Sequence, residues 1–181
     1  MKKIIILAVV MIIMIITFTY LVIVNSEPQE SEYIPEEEIC DSDLRNTILT
    51  LYFENNENGE IQTEARMVDS KDLLNNPYSY LINLLIEGPK NAGLRKNIPE
   101  GAKLNGCVLL GECLTLDFSK EFIENAKGDA LQKSNIIYAI VNTVTELKEV
   151  SRVKILIDGQ ESDGFNDVGI SFKEEFVRKN V

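Results

Sequence analysis

The chain has 181 residues, of which 29 are acidic and 18 are basic, and it contains no histidine. The formal net charge of −11 argues against nucleic-acid binding, because neutralising phosphates requires a basic surface. Without histidine, Ser-His-Asp and Cys-His catalytic triads are excluded, and zinc loses its usual nitrogen ligand.

An uncharged segment over 4–24 follows Lys2 and Lys3 and contains neither Gly nor Pro. A helix of this length measures about 31 Å, which matches a hydrocarbon core of roughly 30 Å. Basic residues precede the segment and acidic residues follow it, which orients the rest of the chain outward. We therefore predict a cytoplasmic stretch over 1–3, a single-pass anchor in the cytoplasmic membrane over 4–24, and an extracytoplasmic C-terminal domain.

A cleavable signal peptide is the alternative interpretation, with a small-residue cleavage site near Val24 and Ser26. The uncharged run is longer than the apolar region of about 7 to 15 residues typical of such peptides, which favours the uncleaved anchor. A lipoprotein needs a Cys directly after the apolar run. The first Cys is Cys40, so we do not expect lipid modification.

The anchor is followed by an acidic linker over 25–46, which holds eight acidic residues and one basic residue and is expected to be solvated. A domain of common size is predicted over 47–173, with a tail over 174–181. Its first strand is expected over 47–54, rich in β-branched and aromatic residues, with a hairpin partner over 61–68.

Two helices are predicted in this domain. The first lies between Pro77 and Glu87 and stops at Gly88 and Pro89, and the second carries an apolar stripe over 129–147. The remaining predicted strands cover 104–110, 113–118, 153–157 and 168–172. Strand and helix do not alternate strictly, so the predicted fold class is α+β, with small antiparallel or mixed sheets and two helices after one transmembrane helix.

Two acidic clusters and two cysteines are candidates for chemistry. Asp117, Glu121 and Glu124 have the residue type of a glycosidase pair, but acids after a strand are more often surface residues. The acidic loop over 158–167 lacks the ligand order of an EF-hand and is more typical of a solvated loop. We expect no catalytic residue, no cofactor site and no metal site.

Cys107 and Cys113 lie on either side of the turn at Gly111. A cross-strand disulfide is one interpretation in an oxidising exterior, and two free thiols are the other. The sequence does not decide which faces of the hairpin the two side chains occupy, so both interpretations stay open.

Six short motifs occur along the outer domain: L-T-L-Y-F at 49–53, L-L-I-E-G-P at 84–89, I-P-E-G-A at 98–102, L-T-L-D-F-S at 114–119, I-V-N-T-V-T-E-L at 140–147 and V-K-I-L-I-D-G at 153–159. In this order they resemble the GerMN domain of sporulation and spore germination proteins. The resemblance implies a compact α+β domain similar to ring-building modules, without enzymatic activity. The family-motif positions, structural or at an interface, are Leu51, Tyr52, Phe53, Gly88, Pro89, Pro99, Asp117, Asn142, Thr143, Asp158 and Gly159.

Asn142 and Thr143 are polar residues in an otherwise apolar helix. They either bond backbone groups or face a partner, and the first is more common. The favoured function is a non-enzymatic protein-interaction or scaffolding module of the cell envelope, in a sporulation- or germination-related assembly. Its partners are envelope proteins or further copies of itself. The alternatives are a module that binds a wall fragment or small molecule in an apolar pocket and, least favoured, a wall-modifying enzyme.

Overall fold

The computed structural model of the protein describes residues 2–25 and 45–180. These residues belong to two compact units, one containing an N-terminal helix and the other containing both sheets. Most of the predicted acidic linker, including Cys40, and the alternative cleavage site at Ser26 lie outside the described residues.

The N-terminal unit contains helix α1 (Lys2–Asn25), whose side chains over 10–22 are exposed. Within the part of the chain that the structure describes, no helix combines the length and the apolarity needed to cross a membrane. The transmembrane helix over 4–24 is therefore not shown and stays a prediction.

Strands β1 (Asn46–Asn55) and β2 (Ile61–Asp69) form the predicted antiparallel hairpin. A two-residue strand, β3 (Leu94–Arg95), pairs with the end of β1. The resulting N-terminal sheet has the order β2-β1-β3. Both strands of the hairpin match their predicted bounds to within one residue.

Two helices follow this hairpin, α2 (Ser70–Asn75) and α3 (Pro77–Glu87). Helix α3 is the predicted first helix. It begins where the Asn76 side chain accepts a hydrogen bond from the N–H of Ser79, and it ends at Gly88, whose φ of 100° suits a residue without a Cβ. The short helix α2 was not predicted, because its six residues are too few to show helical periodicity.

The C-terminal sheet has the order β4-β5-β6-β7, with β5 and β6 parallel and the other pairs antiparallel. Its strands are β4 (Leu104–Leu110), β5 (Cys113–Phe118), β6 (Arg152–Ile157) and β7 (Phe176–Val177). A parallel pair needs a crossover, and this one contains α4 (Glu121–Glu124) and α5 (Ala130–Val144). The α+β class with a mixed sheet is confirmed, although two short helices accompany the two long ones expected.

The last strand predicted over 168–172 is wrong. A 3-10 turn (Asn166–Val168) and one isolated bridge between Phe165 and Ile170 occupy this region. The apolar residues of this region pack inward without forming a strand. Phe172, for example, packs against Phe165, with ring centroids 5.1 Å apart. The final strand, β7, lies in the segment expected to be a tail and pairs with β6.

One apolar cluster joins both sheets with helices α3 and α5. Leu114, Leu116 and Phe118 are fully buried in it, as the alternation along β5 predicts. Phe118 also stacks on Phe122, with ring centroids 4.3 Å apart. Most residues of α5 are buried, so this helix is a central element of the domain.

Candidate functional site

One edge of strand β1 is closed by side chains rather than by a full neighbouring strand. β1 pairs with β2 on one side, so the backbone groups of alternate residues point to the other side. There the N–H of Tyr52 donates to Thr143 Oγ1 at 3.1 Å. The N–H of Glu54 donates to Asn97 Oδ1 at 2.9 Å. Thr143 is fully buried on α5, and its hydroxyl takes the place of a strand carbonyl.

Asn142 fastens the C-terminal segment to α5. Its Nδ2 donates to the carbonyl of Lys179 at 2.9 Å, and its Oδ1 accepts from the N–H of Lys179 at 3.1 Å. A side-chain amide that donates and accepts in this way reproduces the pairing of one residue in a β-ladder. The structure therefore places both polar residues of the apolar helix against backbone groups that are distant in sequence.

Tyr52, Glu146 and Arg178 form a polar cluster beside Thr143. The Tyr52 hydroxyl donates to Glu146 Oε1 at 2.8 Å, and Arg178 Nη2 lies 2.5 Å from the same carboxylate oxygen. Burial raises the pKa of Tyr52, and the hydrogen bond to Glu146 raises it further. Burial opposes ionisation of Glu146, but the hydrogen bonds from Arg178 and Tyr52 outweigh it and lower the pKa of that carboxyl.

The cluster thus consists of a neutral Tyr52 hydroxyl beside the ion pair of Glu146 and Arg178. These contacts hold Arg178 against β1. The guanidinium carbon of Arg178 also lies 5.5 Å from the centre of the Tyr52 ring. Tyr52 is a family-motif position and Glu146 lies within the motif at 140–147, whereas Arg178 lies outside all six motifs. No spacing in the sequence signals this pairing, because the cluster joins three segments that meet only in the folded domain.

Asp117, Asp158 and Gly159 build a tight turn after β6. Ile157 and Gln160 exchange both backbone hydrogen bonds across the turn. The φ values of 48° at Asp158 and 76° at Gly159 are those of a two-residue turn with a left-handed backbone. Asp117 Oδ1 accepts from the N–H of Gly159 at 2.7 Å, so this carboxylate braces the turn from the neighbouring strand.

The remaining motif positions lie in the interior or at the end of α3. The carbonyl of Gly88 accepts a hydrogen bond from Arg66 Nη2 at 3.0 Å, and the adjacent Pro89 is half-buried. Arg66 is itself buried on the inward face of β2. The positions placed in the core are Leu51, Phe53 and Pro99.

The acidic residues considered for a glycosidase make separate local contacts. Asp117 braces the turn, and Glu124 forms a 3.6 Å ion pair with Lys120. The pKa of Glu121 is lowered, chiefly by a hydrogen bond with Ser119. A general acid needs a raised carboxyl pKa, whereas every shifted carboxyl pKa in residues 45–180 is lowered.

The acidic loop considered for calcium is held by cations of the chain itself. Asp163 lies 2.6 Å from the ammonium of Lys173, and Asp167 lies 2.5 Å from that of Lys133. In the ranges that the structure covers, no group of three or more acidic or cysteine residues is arranged to hold a metal ion. The carboxylates of this loop therefore serve as ion-pair partners.

Cys107 and Cys113 are free thiols on opposite faces of the C-terminal sheet. Cys107 lies opposite Leu116, whereas Cys113 lies opposite Leu110, and these pairs differ by an odd number of positions along each strand. The cross-strand disulfide is therefore not formed. Cys107 instead contacts the Ser79 hydroxyl, with sulfur and oxygen 3.2 Å apart.

The surface cavities of the domain are open to solvent. One of about 840 Å³ lies on the outer face of the C-terminal sheet, where the charges of Arg152 and Lys154 are already paired with acidic neighbours. Another, of about 340 Å³, is lined by Leu131, Tyr138 and Lys179 beside α5. The apolar pocket required by the ligand-binding alternative stays a prediction.

Strand β2 is the longer of the two edge strands of the N-terminal sheet, and no described strand pairs with its outer side. A groove of about 550 Å³ follows this edge between β2 and residues Lys90 and Asn91. On the outer face of the hairpin, Ile48 and Met67 lie directly opposite each other, 66% and 65% exposed. The domain therefore has the exposed sheet edge that an interaction module requires.

The sequence profile of the Germane family, described as sporulation and spore germination, matches residues 50–163. Among solved structures, the tandem GerMN domains of the sporulation protein GerM from Bacillus subtilis align with a TM-score of 0.60 and 22% identity. This alignment covers 75% of the present chain and 47% of the tandem structure, so the chain spans about half the length of that relative.

The first GerMN domain of the same Bacillus subtilis protein aligns with a TM-score of 0.60 and 18% identity, covering 74% of this chain and 99% of that one. A candidate lipoprotein from Clostridium perfringens aligns with a TM-score of 0.50 and 26% identity, covering 77% and 92%. No curated protein matches the chain. The likeness to the GerM domains shows a shared fold.

Proposed function

The chain belongs to the GerMN-domain family of sporulation and spore germination proteins, and from this membership we propose that it is a non-enzymatic protein-interaction module of the cell envelope. The observation that carries the proposal is the open edge of β2, with its groove and its exposed Ile48 and Met67. An unpaired strand edge is a template for a further strand.

The chemistry of the motif residues supports an interaction role. Tyr52, Asn142, Thr143 and Asp117 all use their polar atoms to bond other parts of the same domain. They stabilise the scaffold and leave no convergent set of groups for a substrate in the described domain. The surface of the sheet then carries the function.

Attachment to the cytoplasmic membrane through residues 4–24, with the domain outside, is part of this proposal. Its support is the sequence: 21 uncharged residues follow Lys2 and Lys3 and precede an acidic segment. Extraction at high pH tests attachment, and protease treatment of intact protoplasts tests orientation. Release into the soluble fraction, or protection of the domain in intact protoplasts, would contradict it.

The interaction role is tested by crosslinking capture with the full chain as bait, in growing and in sporulating cells. The edge variant is Ile48→Ser combined with Met67→Ser. The control is Leu131→Ser, which changes an apolar residue on α5 that is 56% exposed. We expect an envelope protein that is captured by the native chain and the control but lost with the edge variant. Recovery of wall fragments alone would instead support the ligand-binding alternative.

A further inference from the structure

Two neighbouring cavities lie on the side of the N-terminal sheet away from β2. The smaller, of about 220 Å³, lies at the pairing of Glu54 with Arg95. The larger, of about 490 Å³, extends past Pro99 and Asn125. Both cavities are lined by the same four residues, which are Lys96, Asn97, Lys127 and Ile136. They are therefore parts of one groove, which we call the β3 groove.

Two side-chain amides line the smaller cavity with their oxygen atoms already bonded. Asn97 Oδ1 accepts from the N–H of Glu54 at 2.9 Å. Gln132 Oε1 accepts from the N–H of Asp129 at 3.1 Å, within the capping box of α5. These bonds fix the orientation of both amides and leave their NH2 groups as donors. Neither NH2 group has an acceptor within residues 45–180.

Asn97 Nδ2 is buried, which makes its lack of an acceptor significant. The residue is 9% exposed, and buried donors in native proteins are almost always hydrogen-bonded. A ligand oxygen that accepts from this nitrogen removes the cost of leaving it unbonded. Because Nδ2 is covered, binding includes the movement of a neighbouring side chain. Lys96 suits this role, since its ammonium is held only by a 3.8 Å contact with the exposed Glu100.

The β3 groove carries a positive charge, although the net charge of the chain is −11. Three cations line it, Arg95, Lys96 and Lys127, together with the carboxylates of Glu54 and Glu100. Glu54 is buried and paired with Arg95, whereas Lys127 is exposed and has no ion-pair partner in the part of the domain that the structure describes. The surplus of one positive charge matches a carboxylate better than a phosphate, which carries about two negative charges.

We propose that the β3 groove binds the carboxylate of an acidic side chain in an extended peptide of a partner protein. The carboxylate accepts from Asn97 Nδ2 and Gln132 Nε2 and pairs with the ammonium of Lys127. The larger cavity continues beyond these donors and has room for the chain that carries the carboxylate. The groove lies across the sheet from β2, so this inference does not depend on the β2 edge as a docking surface.

The test is a titration of the full chain in detergent micelles with the capped peptide acetyl-Gly-Ser-Glu-Ser-Gly-amide. Nitrogen–proton correlation NMR follows the side-chain NH2 signals of Asn97 and Gln132. We expect saturable shifts of both signals. The same peptide with Gln in place of Glu should bind about tenfold more weakly, because it loses the charge-assisted hydrogen bonds.

Two results of this titration would count against the proposal. If neither NH2 signal shifts in a saturable way, the groove is not a binding site. Inorganic phosphate is titrated in parallel, and tighter binding of phosphate than of the Glu peptide would overturn the assignment to a carboxylate. Equal affinity for the Glu and Gln peptides would overturn it as well.

Gln132→Glu tests the donor set without disturbing the helix. Glutamate keeps an oxygen for the N–H of Asp129 and is favoured at this position of a capping box, so α5 should stay folded. The substitution replaces the NH2 donor by an anionic oxygen that repels the ligand. Binding of the Glu peptide, followed at the Asn97 signal, should weaken by about tenfold. Unchanged affinity in this variant would refute the site.

Lys127→Gln tests the unpaired charge and should weaken binding of the Glu peptide by about threefold to tenfold. The matched control is Lys148→Gln, which makes the same change in net charge at an exposed lysine that lines neither cavity. The control should bind as the native chain does. An equal loss in both variants would show that only the overall charge matters and would refute the site.

The variant Ile48→Ser combined with Met67→Ser separates this groove from the β2 edge. It should bind the Glu peptide with native affinity, and Gln132→Glu should still capture a partner of the edge. Loss of peptide binding in the edge variant would contradict a separate site. Loss of edge capture with intact peptide binding would instead concern the proposed function alone.

Discussion

Replacing Thr143 with valine tests whether α5 substitutes for a neighbouring strand along β1. Valine keeps the branched shape of threonine but removes the oxygen that accepts from the N–H of Tyr52. Both residues are buried, so this N–H has no access to water. An unsatisfied buried donor costs about 1–3 kcal/mol, and we expect Thr143→Val to lower the free energy of unfolding by about 2 kcal/mol.

Thr143→Ser is the control, because serine keeps the acceptor and removes one methyl group, at a cost of about 1 kcal/mol. Urea unfolding of the full chain in detergent, followed by the near-ultraviolet circular dichroism of tyrosine, gives both free energies. Amide hydrogen exchange then locates the effect. Protection at Tyr52 should fall in the valine variant and persist in the serine variant. Equal protection at Tyr52 in both variants would refute the reasoning.

Four further substitutions test other contacts of the domain. Asn142→Ala should loosen the C-terminal segment and cost about 1–2 kcal/mol, measured as faster tryptic cleavage at Arg178 together with lower unfolding stability. Glu146→Gln should make the free energy of unfolding less dependent on pH in the acid range, which urea unfolding at several pH values measures. Because folding lowers the pKa of Glu146, its stabilisation is complete above the unfolded carboxyl pKa, about 4.3, and is lost as pH falls through the lower folded value. Gly159→Ala should cost about 1–2 kcal/mol from its left-handed backbone alone, since open space surrounds its Cβ position. Gly164→Ala should cost more, because its added Cβ also meets the backbone of Ile170, and urea unfolding compares the two variants.

The strands and long helices of the domain were predictable because their signals are local. The β-branched and aromatic run of β1 and the apolar stripe of α5 can each be recognised within a short window of the sequence. In β2 the sequence shows alternation but not which side faces inward. The buried side holds Arg66, which bonds the carbonyl of Gly88, while the more apolar side with Met67 is exposed.

The features that the sequence did not reveal depend on contacts between distant segments. The parallel pairing of β5 with β6 spans the whole crossover, and β7 joins the sheet only after the long loop that follows β6. The faces of Cys107 and Cys113 depend on the register of their hairpin, which the two-residue turn leaves ambiguous in sequence. Arg178 was missed because its partners, Tyr52 and Glu146, come from two other parts of the chain.

The closure of β1 by α5 limits how far the N-terminal sheet can grow. A sheet with two open edges can add strands without end, as in a fibril. Here Thr143 and Asn97 occupy donors along one side of β1, and only the two-residue strand β3 pairs on that side, so β2 is the longer open edge of this sheet. The helix thus directs any added strand to β2 and disfavours growth of this sheet from both sides.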